Sequence, residues 1–497
     1  MNQNNISAAE LFLRVRELLI LPELEPKTRN KMMHDTLILC CHEGVKDTKQ
    51  AFGNLFSQVD YLCKARGIKV ADKIAIQTMR RHSNSQEPLS GEDLKYDVRA
   101  LAIFISAVFG VDVPHELNVL IPHTNRPYQK GLEINNRRIR CIVKNWDSDF
   151  IRVDIDQDAD EEEYLVQLKD EENHIDHTYL WDILKEGMQL NLLDCQVKQP
   201  VITPRLIVVE PDYLVDISSI ATCFTAFGHH PLLYLLNQMK PRANTQATLL
   251  GNFAGAALDD IINTNGKYQM NETIKTNFRE KALEFCTCPW FDAKKFYTDA
   301  NQQAFNLQQV VDILFPRTAS QAQMSAFRGE SLYDRKKAIL EPSFVCEALG
   351  IQGRVDLMTT DCKLLVEQKS GRNMNIETHQ VDPGYHSYQL EPHYVQLLLY
   401  YGVLQHNFKL SNDCVNIRLL YSKYQPQDGL MVVAYFQKLF KEAIEYRNQL
   451  VAASFEIAKE GFEHALNEFT PEVLNVAGTQ DFFYNKYLKP QIEAITS

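Results

Sequence analysis

The stretch GRVDLMTTDCKLLVEQKSG, Gly353 to Gly371, sets Asp356, Glu367 and Lys369 into two short apolar runs around a turn. Runs of this length and pattern read as buried strand. The spacing predicts one strand over Gly353–Met358, a turn over Thr359–Cys362 and a second strand over Lys363–Lys369, paired as a hairpin. Glu367 and Lys369 are two residues apart, so they project from the same face of their strand. Asp356 on the neighbouring strand can meet them at one end of a sheet. Carboxylates are buried at a high cost unless they are paired or hold a cation. Two of them together are hard oxygen ligands suited to Mg²⁺ or Mn²⁺. A bound ion acidifies water and offsets charge developing on a phosphate, and a neighbouring lysine holds that water. The same triple also suits a plain salt-bridged hairpin at the surface, with all three side chains turned outward.

The surrounding chain sets the frame. Its 497 residues suffice for several domains, and 45% apolar with 23% charged residues is ordinary for a globular protein. The longest apolar run, Ala100 to Phe109, suits a buried helix and falls short of a membrane span. The first residues, MNQNNISAAE, lack a basic segment followed by an apolar one, so a cytoplasmic protein is expected, with no membrane partner. Eleven scattered cysteines read as reduced thiols. A net charge of −12 excludes a uniformly basic surface but not a local basic groove. Asp154 to Asp176 holds eleven acidic residues and one lysine, which reads as a solvated edge.

Three regions are expected. Residues 1–125 show three- and four-residue apolar spacing, as in AAELFLRVRELLILPEL, and read as a helical region. Residues 126–212 hold short β-rich segments such as RRIRCIVKNW, FIRVDI and RLIVVEP, enough for a small barrel, an oligonucleotide-binding barrel being one form of it. Arg137, Arg138, Arg140 and Lys144 there read as exposed charges, with phosphate contact as the second reading. Residues 213–497 return to helices, with Ser218 or Ser219 as a cap, then the opening stretch, a helix over HYVQLLLYYGVLQ, a strand over CVNIRLLYSKY and a long helix from Gly429 to about Leu466. The fold class is therefore mixed α/β, or α+β.

With GRVD followed by ExK in LLVEQKSGR, the chain resembles the PD-(D/E)XK nuclease superfamily, in its RecB-like branch, and most of all the nuclease domain of the replication ATP-dependent nuclease/helicase family. LGIQGRVDL, KSGR, RLIVVEPDYLVDISSIATC and the Q-x-x-x-Y of HYVQLLLYY agree with that family in order and spacing over about residues 200 to 425. The resemblance implies a restriction-endonuclease-like core with a mixed sheet flanked by helices. It implies Mg²⁺- or Mn²⁺-dependent hydrolysis of single-stranded or flapped DNA, in repair, replication or defence. It makes Asp356, Glu367 and the Gln368 carbonyl metal ligands, Lys369 the residue that positions water, and Gln396 and Tyr400 support for the active site and DNA contacts.

Two departures stand out. The family's early helix carries a metal-binding histidine in a G-x-x-x-H context, but GNFAGAALDD places Gly255 there; Asp259 and Asp260 one turn on read as solvated helix residues, with compensation for the histidine as the second reading. An iron–sulfur cluster needs four thiolates, three of them downstream of the Q-x-x-x-Y helix, where Cys414 stands alone, so no cluster is expected. Cys286 and Cys288 read as packing residues. No G-x-x-x-x-G-K-[ST] occurs, so no ATP site is expected and a helicase partner would be a separate chain or a further part of the gene product. The loss of the histidine leaves a second reading, a catalytically weakened nuclease fold that binds DNA as an assembly scaffold beside such a helicase. His379, His386 and His393 recur at seven-residue spacing without the further ligands a zinc site needs. His229 and His230 have no carboxylate near them in sequence and read as helix-end residues.

Overall fold

The computed structural model describes residues 6–461 other than 22–24, 86, 128–130, 156–162, 226–227, 240–243, 265–266, 382–386 and 411–413, together with 485, 489–490 and 493. The chain is mixed α/β, with mixed sheets and a small closed barrel. Residues 156–162 of the acidic run, His386 and the chain beyond Gly461 up to Leu466 lie outside the described residues.

Five helices open the chain: α1 (Ala8–Ile20), α2 (Pro26–Val45), α3 (Leu55–Ala65), α4 (Val70–Ser83) and α5 (Gly91–Phe109). Their apolar stripes close on one cluster containing Leu11, Val15, Leu37, Val59, Met79 and Phe104. Ser7 caps α1 through a reciprocal pair of bonds with Glu10, which satisfies amides that a helix start leaves open. The α5 helix contains the Ala100–Phe109 run. Between α2 and α3 a two-residue strand, β1 (Ala51–Phe52), leaves this cluster and becomes an edge of the main sheet.

The next region is a closed barrel. Its strands are β2 (Asn136–Trp146), β3 (Phe150–Ile155), β4 (Tyr164–Gln167), β5 (Gln189–Lys198) and β6 (Val201–Val209), in the order β2-β3-β4-β6-β5. All pairs are antiparallel except β4 with β6, which is parallel. Alternate residues such as Ile139, Cys141 and Val143 fill the interior, as period-two patterning requires. Three of the four basic residues of β2 are matched by acids: Arg137 with Asp194 at 2.8 Å, Lys144 with Asp154 at 3.1 Å, and Arg140 with Asp212.

From β6 the chain enters a strand, β7 (Val215–Asp216), and a short helix, Ile217–Ala221, whose N-cap is Asp216. Ser218 and Ser219 thus lie inside the helix rather than at its cap. Two long helices follow, α6 (Gln246–Asn263) and α7 (Ala293–Leu314). Then come β8 (Ala338–Leu340), β9 (Ser343–Cys346), β10 (Ile351–Arg354), β11 (Leu357–Thr359), β12 (Leu364–Lys369), α8 (Glu391–Phe408), β13 (Asn416–Tyr421), β14 (Leu430–Val432) and α9 (Gln437–Glu460). The main sheet has the order β1-β14-β13-β12-β11-β8, and β9-β10-β7 form a smaller sheet beside it. The single helix expected from Gly429 is therefore a strand followed by a helix. Leu430, Met431 and Val432 pair with β13, which outweighs their helical propensity.

The opening stretch also differs from one hairpin. Gly353 and Arg354 end β10 in the smaller sheet, the chain bends at Val355–Asp356, and Leu357 begins β11 in the main sheet. One strand's worth of sequence serves two sheets, and Asp356 occupies the bend between them. Behind this junction the buried guanidinium of Arg447 on α9 donates to the carbonyls of Gly350 at 3.1 Å, Glu210 at 2.9 Å and Tyr213 at 2.6 Å, and also to that of Val209. Gly350 has φ +60°, and a Cβ there would collide with that guanidinium. Asn448 beside it accepts from the Val209 amide at 2.9 Å. These bonds fix the barrel's last strand against the sheets.

Candidate active site

β12 is the centre of the main sheet, with β11 antiparallel on one side and β13 parallel on the other. Central strands flanked on both faces by helices are apolar throughout, so the charges at the end of β12 are exceptions that need an account. Glu367 is 2% exposed. Its Oε1 accepts from Lys369 Nζ at 2.7 Å, while Oε2 has no partner among the described residues. Burial pushes its pKa up to about 8, the Asp356 charge adds to this, and Lys369 opposes it.

Asp356 reaches the same place from the bend. Its Oδ2 accepts from the Gln368 amide at 2.6 Å. Burial raises its pKa, and the Gln368 amide and Lys369 oppose the rise. In extended backbone the N–H and C=O of one residue face the same strand edge. The Gln368 carbonyl therefore faces the Asp356 edge of β12, while the Lys369 carbonyl accepts from Ser422 on the other. Asp356, Glu367 and Gln368 thus present oxygens at one sheet end.

Helix α8 supplies the rest. Gln396 accepts from Lys369 Nζ at 2.9 Å, so the ammonium bridges strand and helix. Tyr400, one turn on, donates to the Arg354 carbonyl at 2.6 Å. A Cβ on Gly353 would stand 3.0 Å from the Tyr400 ring, so glycine there leaves room for the ring beside β10. Burial, and then the Glu367 charge, raise the Tyr400 pKa. His393, one turn before Gln396, bonds the Tyr421 hydroxyl at 3.2 Å, and burial with the nearby Lys369 charge lowers its pKa to about 3. It is a neutral wall of the site. His379 ends a short helix, Met374–Thr378, with φ +53°.

A buried polar network beneath the site carries no motif. Gln368 Nε2 donates to Ser422 Oγ at 2.8 Å, and Ser422 Oγ donates to Gln303 Oε1 at 2.6 Å. Gln303 Nε2 donates to the Ser370 carbonyl at 3.1 Å, and Asn306 Nδ2 to the Ser422 carbonyl at 2.9 Å. Gln303 and Asn306 sit on the buried face of α7 among Ala300, Ala304 and Leu307. Polar residues within an apolar helical stripe are the only sequence signal for such a network.

Helix α6 passes beside Ser370, the residue after Lys369. A Cβ on Gly251 would stand 3.2 Å from Ser370 Oγ, and one on Gly255 would meet nothing within 4 Å. Asp259 differs from the expected solvated residue. It is partly buried, and its pKa is raised to about 7 by burial first and then by Glu341, Asp260 and Asp356. Asp260 is exposed and accepts from Thr273. Cys286 and Cys414 are exposed and Cys288 is buried, none of the three in a disulfide. The reading of His229 is corrected: Nδ1 lies 2.7 Å from Glu442 Oε1 and Nε2 lies 2.9 Å from Glu391 Oε1, partners supplied by distant parts of the chain.

Among the described residues, no group of three or more His, Cys, Asp or Glu side chains stands close enough to hold a metal ion, and no helix is long and apolar enough to cross a membrane. No protein-family model matches the chain, and a search of curated proteins found no match.

Proposed function

We propose that the protein is a metal-dependent deoxyribonuclease of the PD-(D/E)XK superfamily, RecB-like branch, acting on single-stranded or flapped DNA. The observation that carries this reading is the pairing of half-buried Asp356 with buried Glu367, whose Oε2 is left without a partner among the described residues at the end of a central strand. A buried carboxylate oxygen without a partner costs a few kcal/mol, about 1–3 or more for a charged group, so a fold keeps one where something else binds it. The surface salt-bridge reading does not suit a carboxylate that is 2% exposed.

The donor set fits Mg²⁺ or Mn²⁺. Asp356, Glu367 and the Gln368 carbonyl offer only oxygens, and two side chains with one carbonyl suit a cation that keeps several of its waters. The ion, when bound, supplies positive charge to the phosphate and acidifies water. The chain's own residues do the remainder. Lys369, fixed between Glu367 and Gln396, points an ammonium at the site and orients the attacking water toward phosphorus. Tyr400 holds the strand end that carries Asp356. The Gln303–Ser422–Gln368 network fixes the orientation of Gln368 and so of its carbonyl.

The barrel of residues 136–209 supports the same class of substrate. Its five strands, with the last inserted between the third and fourth, resemble the oligonucleotide-binding barrel. The pairing of Arg137, Arg140 and Lys144 with acids argues against β2 as its binding face.

Gly255 favours a second reading, a nuclease fold that no longer cuts and serves as a DNA-binding scaffold for a separate helicase. A cleavage assay on labelled single-stranded, flapped and duplex DNA with Mg²⁺, Mn²⁺ or EDTA separates the two. Metal-dependent cutting is expected. DNA binding without cutting in any metal would replace the nuclease by the scaffold.

A further inference from the structure

Two loops leave the central sheet at the end that carries Lys369. β12 and β13 run parallel, with Lys369 opposite Tyr421 in register. Ligand crevices lie outside the carboxyl ends of parallel strands. Arg372 follows Lys369 by three residues, and Lys423 follows Tyr421 by two. A chain advances at most about 3.6 Å per residue, so the Arg372 backbone stays within roughly 11 Å of Lys369.

The two cations converge on one carboxylate. Arg372 Nε bonds Glu377 Oε2, and Lys423 Nζ stands 3.3 Å from Glu377 Oε1. Glu377 lies on the short helix Met374–Thr378. Fully buried Asn373 caps that helix, accepting from the amides of Asn375 at 3.0 Å and Ile376 at 3.2 Å. The Tyr424 hydroxyl accepts from the Asn373 amide at 2.7 Å and donates to Glu377 Oε1 at 2.9 Å. The cluster is thus anchored through Asn373 and Tyr424 while its cations stay open. The Arg372 side chain is 62% exposed and that of Lys423 43%, against 24% for Glu377.

Exposed ion pairs contribute little to stability, and one carboxylate balances only one of these two cations. A surplus positive charge close to Lys369, on a protein of net charge −12, attracts an anion locally. Arg372 engages Glu377 through Nε, one of its five N–H donors, and a guanidinium matches the paired oxygens of a phosphate. Lys423 adds a compact point charge.

We propose that Arg372 and Lys423 form a clamp for a backbone phosphate of a single DNA strand, beside the phosphate that is cut, with Glu377 as the counterion that the DNA partly displaces. This rests on the DNA-cutting reading above. The contact is to phosphate, so it is blind to base sequence.

The test is binding of two labelled single-stranded oligonucleotides of unrelated sequence to the full chain in EDTA, by fluorescence anisotropy over a series of salt concentrations. Wild type, R372Q/K423Q and E377Q are compared, and melting temperatures check each fold. Hydrogen bonds to charged groups are the stronger ones, so R372Q/K423Q is expected to weaken both oligonucleotides on the order of tenfold. The slope of log affinity against log salt should fall by about 0.7, the share of one phosphate on a single strand. E377Q is expected to act in the opposite direction and tighten binding, because the carboxylate competes with phosphate for the same cations. In Mn²⁺, R372Q/K423Q should raise KM more than it lowers kcat.

Wild-type affinity and salt slope in R372Q/K423Q would overturn the clamp, and metal-dependent cutting by the same protein would leave the nuclease reading standing. Weakened binding in E377Q as well would overturn it too, reducing the cluster to a structural salt bridge. A wild-type protein that binds DNA without cutting would end the nuclease reading, while opposite shifts in the two variants would still support the clamp. Absence of DNA binding in wild type would overturn both.

Discussion

Lys369 Nζ stands 2.7 Å from Glu367 Oε1, with the carboxylate almost fully buried and the ammonium partly open. The pair is intimate yet unequal. Lys369 has a second acceptor in Gln396 at 2.9 Å, whereas the other oxygen of Glu367 has no partner among the described residues. A lysine so placed is oriented from two sides and keeps its third proton for the site.

Lys369→Ala is therefore expected to abolish cutting and leave the fold intact. A positioned proton-transfer group contributes roughly 10²–10⁴-fold, so the loss is expected to be at least about a hundredfold at saturating metal. Stability changes little at neutral pH, because Glu367, whose pKa already stands near 8, takes up a proton when its cation is removed. Cleavage rates beside thermal melts decide the matter, and a variant that cuts at the wild-type rate would end the proposed role.

Glu367→Gln is expected to stabilise the metal-free protein, increasingly so at higher pH. Glu367 has a folded pKa of about 8 against an ordinary value of 4.5, so its ionised form is disfavoured in the fold. Its cost is absent below about pH 4.5 and grows as pH rises through about 8. Gln has no such cost, so the melting temperatures should diverge across this window. A gain of 1 kcal/mol corresponds to about 2–4 °C in domains of 150–250 residues. Added Mn²⁺ should raise the melting temperature of wild type and leave the variant unmoved. Parallel curves from pH 5 to 9 would contradict the account.

Tyr400→Phe removes the bond to the Arg354 carbonyl and little else. A lost neutral hydrogen bond costs about 0.5–1.5 kcal/mol, so the fold survives. The bend carrying Asp356 begins one residue beyond Arg354, and its position depends on where β10 ends. The rate of cutting is expected to fall about tenfold with DNA binding nearly unchanged. Equal losses in both would make Tyr400 a DNA contact instead.

Glu367 and Lys369 were legible because period-two patterning in a strand makes both of them exceptions at once. The bend at Asp356 was not, because whether Gly353 and Leu357 share a sheet depends on partners at Ser343–Cys346 and Ala338–Leu340. The five β segments of the barrel could be read from alternation, but the parallel pairing of β4 with β6 could not. The same holds for β1, two residues long, which pairs with β14 some 380 residues away. Asp259 looked solvated because a helix face opposite apolar residues ordinarily meets water. Here the residue is partly buried. Gln303 and Ser422 become meaningful only once the fold brings them together.

His229 was misread for a related reason, and it yields the clearest pH dependence outside the site. It sits on a two-strand hairpin, Phe224–Thr225 with Gly228–His229, between Glu391 at the start of α8 and Glu442 on α9. Both ring nitrogens face carboxylates, which requires the doubly protonated ring. Burial lowers the His229 pKa, but the two carboxylates outweigh this and raise it to about 9. The ordinary value is 6.5, so the stability contributed by the charged ring is fully present below about pH 6.5 and is lost as pH rises through about 9. His229→Gln should therefore destabilise the protein at pH 6 by on the order of 2 kcal/mol, with the gap to wild type closing by pH 10. Chemical denaturation at a series of pH values measures it. A gap that stays constant from pH 6 to 10 would mean that the ring acts through packing against Phe224 and Tyr446, whose rings lie 4.7 Å and 6.4 Å away, and not through its charge.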